Sequence, residues 1–247
     1  MGANSSIEWT DHTFNAWWGC ARVSPGCEHC YAERFAKRKG VKWGVHEERR
    51  TFGDEHWREP VRWNARAARR GRRYRVFCAS MADVFDEHGP ESERARLWDL
   101  IARTPHLDWQ LLTKRPQHFE RFLPRDGWPW RNVWLGVTAE DQRRADERIP
   151  ILVRTPAAVR FISYEPALGP VDVSPFADGL DWLIAGGESG AGARPMSEDW
   201  VRGVRDQCAA SGIAFFYKQR LDGKLKIKLP VLDGAQHAAF PHCQTSG

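Results

Sequence analysis

Val133-Trp-Leu-Gly-Val137, followed at once by Thr138-Ala-Glu-Asp141, is where the fold can first be read. A short β-branched and aromatic run suits a buried strand, and the polar residues after it mark an exit into a loop. The same arrangement recurs at Arg75-Val-Phe-Cys-Ala79, Trp109-Gln-Leu-Leu112, Val159-Arg-Phe-Ile162, Trp182-Leu-Ile-Ala185 and Ala214-Phe-Phe-Tyr217. Successive runs start 23 to 34 residues apart, about the length of one βα unit. Between them, Glu91–Ala102 places Leu97 and Ile101 on one helical face, and Glu198–Ser211 does the same with Trp200, Val201 and Val204. Such alternation predicts an α/β fold, a parallel sheet with outer helices.

In a barrel of such units the C-terminal strand ends build the functional site. Here they read Ser80-Met-Ala-Asp83, Thr113-Lys-Arg-Pro116, Thr138-Ala-Glu-Asp141, Ser163-Tyr-Glu-Pro166, Gly186-Gly-Glu-Ser189 and Lys218-Gln219. Six polar ends in succession predict a polar pocket at one mouth, although any single ion pair or glycine turn among them would also suit an ordinary barrel rim.

The chain has 247 residues, of which 42% are hydrophobic, enough for a substantial core. It is expected to be one domain over 1–247, with a basic segment at about 34–75 and a C-terminal arm at about 221–247. No apolar run reaches the roughly 18 residues of a membrane span, and the start, MGANSSIEWTDHTFN, does not read as a signal peptide. A soluble, cytoplasmic protein is the expectation.

Three of the six cysteines lie within eleven residues, in Gly19-Cys20-Ala-Arg-Val-Ser-Pro-Gly-Cys27-Glu-His-Cys30-Tyr31. The Pro25-Gly26 turn brings Cys20 back towards Cys27 and Cys30, and the helix predicted to start at Tyr31 favours a thiolate at Cys30. Structural zinc sites are closed and four-coordinate, so zinc would need a fourth ligand such as His29 or His12. A cubane 4Fe-4S cluster on three cysteines leaves one iron open to S-adenosylmethionine (SAM). Cys78 and Cys208 read as small core residues, and Cys243 lies near the end of the chain.

Between Arg34 and Arg75 there are 15 Lys or Arg against 5 Asp or Glu. Arg62, Arg66, Arg69, Arg70, Arg72 and Arg73 crowd together near Trp57 and Trp63. Charge for phosphates with rings for bases describes a nucleic-acid surface. A solvated Arg-rich helix is the plainer alternative.

Several motifs together resemble the phage-type three-cysteine-motif family of radical-SAM-like proteins. They are Ile7-Glu-Trp-Thr-Asp11, the cysteine stretch with Tyr31-Ala32, Ser80-Met-Ala-Asp83, Leu112-Thr-Lys-Arg-Pro116, Gly136-Val-Thr138, Glu165-Pro166, Gly186-Gly-Glu-Ser-Gly190 with Ala193-Arg-Pro-Met196, Phe216-Tyr-Lys-Gln219 and Leu232-Asp-Gly234. The spore photoproduct lyase branch of radical-SAM enzymes is a more distant likeness, and the six-residue first cysteine gap departs from the superfamily's usual three.

The resemblance implies a partial (β/α)6 TIM-type barrel of the radical-SAM kind, with the cluster on Cys20, Cys27 and Cys30. It implies His29 beside the adenine of SAM, Ser80 and Asp83 at its amino group, and Lys114 and Arg115 at its carboxylate or a substrate phosphate. Thr138 and Glu140 would hold the ribose, and Glu165, Glu188 and Lys218 complete the wall. The expected activity is SAM-dependent radical chemistry on a nucleic-acid component, modification or lesion repair, with a reductant such as flavodoxin or ferredoxin. The competing expectation is a cluster- or zinc-containing nucleic-acid-binding protein without SAM turnover.

Overall fold

The computed structural model describes residues 2–190 and 192–241; Cys243 lies outside them. In chain order the elements are β1 (His12–Thr13), α1 (Tyr31–Arg38), α2 (Asp54–Arg69), β2 (Tyr74–Cys78), α3 (Glu91–Ala102), β3 (Leu107–Thr113), α4 (Phe119–Phe122) and β4 (Val133–Thr138). Then come α5 (Gln142–Arg154), β5 (Val159–Tyr164), β6 (Trp182–Gly186), α6 (Glu198–Ser211), β7 (Ala214–Asp222), β8 (Leu225–Lys228), β9 (Val231–Leu232) and β10 (Ala235–Gln236). The strands β1 to β8 make one sheet in chain order, mostly parallel, with β8 antiparallel to β7. This is the α/β fold expected from the repeating strand and helix pattern.

The chain packs as two compact units, Met1–Val23 with Cys30–Trp134, and Ser24–His29 with Leu135–Gly247. The cysteine stretch is shared between them: Cys20 and Cys30 belong to the first unit, Cys27 to the second.

In the first unit, β2 and β3 pair in parallel with Val76 opposite Trp109. Both residues are fully buried. Helix α3 turns Arg94, Leu97, Leu100 and Ile101 inward, the three-and-four spacing of one helical face. Helix α2 buries Trp57, Pro60, Trp63 and Ala67 in the same way. The two-residue strand β1, too short to show a pattern in the sequence, lies parallel to β2 with His12 opposite Val76.

In the second unit β6 is buried along its whole length, as befits a strand covered on both faces. It pairs in parallel with β5 and β7, Leu183 lying opposite both Ile162 and Phe215. Gly136 of β4 is required by close approach, because a Cβ there would meet the Phe161 ring at 2.3 Å. Asp141 caps α5 by accepting from Arg144 N at 2.8 Å. Helix α6 ends on Gly212 in the left-handed conformation, φ 70°. After β7 the chain turns into β8 and the small β9–β10 ladder, which fall within the first part of the expected arm.

Candidate cysteine-bearing site

In the first unit, Cys20 faces a buried guanidinium. Arg115, on the loop after β3, is 3% exposed and donates from Nη1 to the Cys20 sulfur at 3.6 Å and to Asp83 Oδ2 at 3.0 Å. Its Nη2 donates to the Ala21 carbonyl at 2.8 Å and lies 3.7 Å from Asp86 Oδ1. Asp83 is itself saturated, accepting from the Thr113 hydroxyl, the Lys114 and Phe85 amides and Arg115. Burial works against the charge on Arg115, but Asp83, Cys20 and Asp86 outweigh it, and the guanidinium holds its proton more firmly than usual. Burial also pushes the Cys20 thiol up to about 12; Asp83 adds to the rise and Arg115 opposes it.

Cys30 stands at the start of α1 and packs against a cluster of Ala32, Ala36, Val41 and Met81. Ser80 is buried after β2; its hydroxyl accepts from Asn15 Nδ2 at 3.1 Å and its carbonyl from the Tyr31 hydroxyl at 2.8 Å. Lys114 is half-buried, its amide engaged with Asp83.

In the second unit, Cys27 ends a short 3-10 turn over Pro25–Cys27, its amide bonded to the Ser24 carbonyl at 2.9 Å. Two strand ends grip this segment. Glu140, fully buried after β4, accepts from the Gly26 amide at 3.3 Å and from Arg148 at 2.8 Å. The Arg148 guanidinium also caps the Thr138 carbonyl at 2.7 Å. Arg194 pairs with Glu188, donates to Glu28 Oε2 at 2.9 Å and reaches the Pro25 carbonyl at 2.8 Å. Burial raises the Glu188 carboxyl, but the Arg194 hydrogen bonds and charge, helped by His29, bring it net below its ordinary value. His29 lies beside Gly192, whose added Cβ would stand 3.5 Å from Nδ1.

A separate polar group in the second unit joins the ends of β5 and β7. Lys218 Nζ donates to both oxygens of Glu165, at 2.6 and 2.8 Å. Gln219 Nε2 donates to Glu165 and to the Gly187 carbonyl, while its buried Oε1 has no hydrogen-bond partner among the described residues.

Sequence reasoning missed Arg148, Arg194 and Asp86. Arg194 had a signal, since it sits in the Ala193-Arg-Pro-Met196 motif. Arg148 had none, because an arginine inside a helix reads as solvated. Trp57 and Trp63 correct an expectation: they are 4% and 2% exposed, so neither offers a face to a base. Trp63 stacks on His12 with ring centroids 4.4 Å apart, and Trp57 meets Phe14 edge-on. Both lie on the apolar stripe of α2, opposite its arginines. All six clustered arginines are exposed; Arg62 is paired with Glu55 and Glu59, Arg72 with Asp11 and Arg73 with Asp108, and Arg70 donates to the Tyr74 hydroxyl at 3.1 Å.

Among the described residues no three Cys, His, Asp or Glu side chains stand together in metal-holding geometry. The donor chemistry nevertheless suits an iron–sulfur cluster: Cys20, Cys27 and Cys30 are free thiols, each partly exposed, and Cys20 already has a hydrogen-bond donor of the kind that supports a thiolate.

The chain belongs to a family described as protein of unknown function (DUF5131), whose model matches residues 4–241. A search of curated proteins finds no match in sequence. In structure it is similar to spore photoproduct lyase. A double mutant of that enzyme with bound AdoMet and dinucleoside spore photoproduct superposes with TM-score 0.52 at 11% identity, over 85% of this chain and 66% of that one. A complex of the lyase with the dinucleoside spore photoproduct gives TM-score 0.53 at 12% identity, over 85% and 64%. The chain thus spans just under two thirds of these structures' length, and the likeness is one of fold. No helix among the described residues is long and apolar enough to cross a membrane.

Proposed function

We propose that this chain is a radical-SAM enzyme acting on a nucleic-acid component, with a 4Fe-4S cluster on Cys20, Cys27 and Cys30. The observation that carries the reading is the bracing of the cysteine stretch: Arg115 engages Cys20 and Ala21, while Glu140 and Arg194 engage Pro25, Gly26 and Glu28. Buried charge spent on an eleven-residue loop is costly unless the loop's geometry matters. The structural likeness to a lyase with bound AdoMet and a dinucleoside lesion supports the same reading.

When bound, the cluster supplies the electron for reductive cleavage of SAM; flavodoxin or ferredoxin would deliver it. The protein's part is to hold and orient. Asp83, Glu140 and Glu188 fix the arginines and the loop, and Ser80, Lys114, Thr138 and His29 are the residues we assign to SAM. Lys218 and Glu165 are assigned to substrate, with the Gln219 oxygen as an acceptor for a base or sugar donor. Free thiols at all three positions suit a reducing compartment.

Reconstituted without oxygen and given dithionite and SAM, the protein is expected to release 5′-deoxyadenosine, and Lys218→Met to weaken substrate dependence while preserving that release. A reconstituted cluster that yields none would refute the catalytic reading. A second reading, nucleic-acid binding without turnover, draws on the exposed Arg66, Arg69 and Arg70.

A further inference from the structure

We infer that Arg115 is a positioning residue for the cysteine site, setting the reduction potential of the cluster through its hydrogen bond to the Cys20 sulfur; the inference rests on the cluster reading above. Three observations carry it. The guanidinium is 3% exposed, so water does not compete for its N–H groups. Its Nη1 divides between the Cys20 sulfur at 3.6 Å and Asp83 Oδ2 at 3.0 Å, while Nη2 takes the Ala21 carbonyl at 2.8 Å, fixing the backbone just after the cysteine. Its own orientation is over-determined, because Asp83 is held by the Thr113 hydroxyl and by the Phe85 and Lys114 amides.

Hydrogen bonds to cluster sulfurs raise the potential by stabilising the extra negative charge of the reduced state. A charge-assisted donor does so about twice as strongly as a neutral one. The guanidinium's net charge is already countered by Asp83 and Asp86, the latter also paired with Arg49 at 2.9 Å. What remains at Cys20 is therefore directional, the N–H aimed at sulfur rather than a diffuse positive field. Lysine, with a single ammonium and no fork, cannot serve Asp83, Ala21 and Cys20 together. Among the described residues the polar neighbour at Cys27 is only the Ser24 hydroxyl, with 4.0 Å between Oγ and Sγ. The ligand set is unequal, and Cys20 is the tuned member.

The test compares the anaerobically reconstituted wild-type chain with Arg115→Lys and with the charge-balanced double variant Arg115→Gln/Asp83→Asn, which keeps a neutral hydrogen-bonding pair where the single Gln variant would strand a buried carboxylate. Iron and sulfide content, thermal unfolding and redox titration followed by electron paramagnetic resonance are measured on each. Both variants are expected to retain cluster and to titrate at lower potential. The reduced-to-oxidised ratio, read at the wild-type midpoint, should fall roughly tenfold, which for a one-electron couple is about 59 mV. Clusters with an unchanged or raised midpoint would overturn the inference while leaving the cluster reading intact. So would a loss of cluster content with an unchanged midpoint in what remains, because that is a purely structural role. A wild-type chain that takes up no iron would overturn the cluster reading itself and the inference with it.

Discussion

The two compact units both brace their shares of the cysteine stretch with arginine–carboxylate pairs, but the arginine that reaches the loop is buried in one and partly exposed in the other. In the first, Arg115 is sealed between Asp83 and Asp86 and reaches the Cys20 sulfur directly. In the second, Glu140 with Arg148 is equally buried, but Arg194, which ties down Pro25 and Glu28, is half-exposed and reaches a backbone carbonyl and carboxylates rather than a sulfur among the described residues. Polar residues at strand ends, which look like a ligand pocket when read in sequence, are thus spent largely on the loop that carries the cysteines. The first unit grips one cysteine as a chemical group; the second grips the backbone around another.

The largest consequence lies in stability. Arg115→Met leaves Asp83 buried without its charge partner and should cost roughly 3–5 kcal/mol, the usual penalty for breaking a buried pair. Arg194→Met strips the side-chain partner from Glu188, whose side chain is 5% exposed, but leaves the Arg194 amide bonded to that carboxylate, and Glu28 is largely exposed, so the loss should be smaller, about 1–3 kcal/mol. Urea unfolding of the two variants separates them, and equal losses would erase the distinction between the deep and the shallow brace.

A second difference is a pair of histidines packed on aromatic rings in the first unit. His12 stacks on Trp63, and His56 lies against Phe14 and Phe52. Burial lowers both below the ordinary 6.5, with Asp11 opposing the shift at His12 and the hydrogen bond to the Asn15 carbonyl opposing it at His56. Above pH 6.5 both states of each histidine are neutral and its contribution is complete. As pH falls below 6.5 the unfolded chain takes up the proton first, so stability is lost on the acid side. His12→Gln and His56→Gln, compared by unfolding at pH 5.5 and 7.5, should each show a smaller acid loss than the wild type; an undiminished loss would place the acid sensitivity elsewhere.

The smallest effect concerns charge at the surface. Arg66, Arg69 and Arg70 of the first unit are exposed, whereas Arg202 and Arg205 of the second pair with Asp199, Asp206 and Asp233. If the first set contacts phosphates, neutralising all three should flatten the log–log salt dependence of nucleic-acid binding by about two to three units. Neutralising Arg202 and Arg205 should leave it unchanged. Anisotropy titrations at several salt concentrations read both, and equal responses would remove α2 from the binding surface.

Much of the fold was legible because parallel strands buried on both faces are written as short apolar runs, and because α3 and α6 carry a clear helical stripe. The strand β1 was not, since two residues have no period. In the candidate site, the residue types at the strand ends were legible but their partners were not. Nothing in the local sequence says that Glu140 will meet the Gly26 amide 114 residues away, or that Arg115 will turn inward to Cys20. The tryptophans failed for a related reason. Trp57 and Trp63, with Pro60 between them and Ala67 beyond, follow the buried stripe of α2, so their rings turn inward whichever arginine adjoins them in sequence.

Whether Cys20, Cys27 and Cys30 together hold an iron–sulfur cluster is decided by metal analysis of protein purified without oxygen, alongside Cys20→Ala, Cys27→Ala and Cys30→Ala. A cluster on these cysteines gives iron and acid-labile sulfide in near-equal amounts in the wild-type chain, a brown solution, and loss of both in every single variant, because three ligands leave none to spare. Stoichiometric zinc without iron, or a cluster that survives any one of the three substitutions, would contradict it.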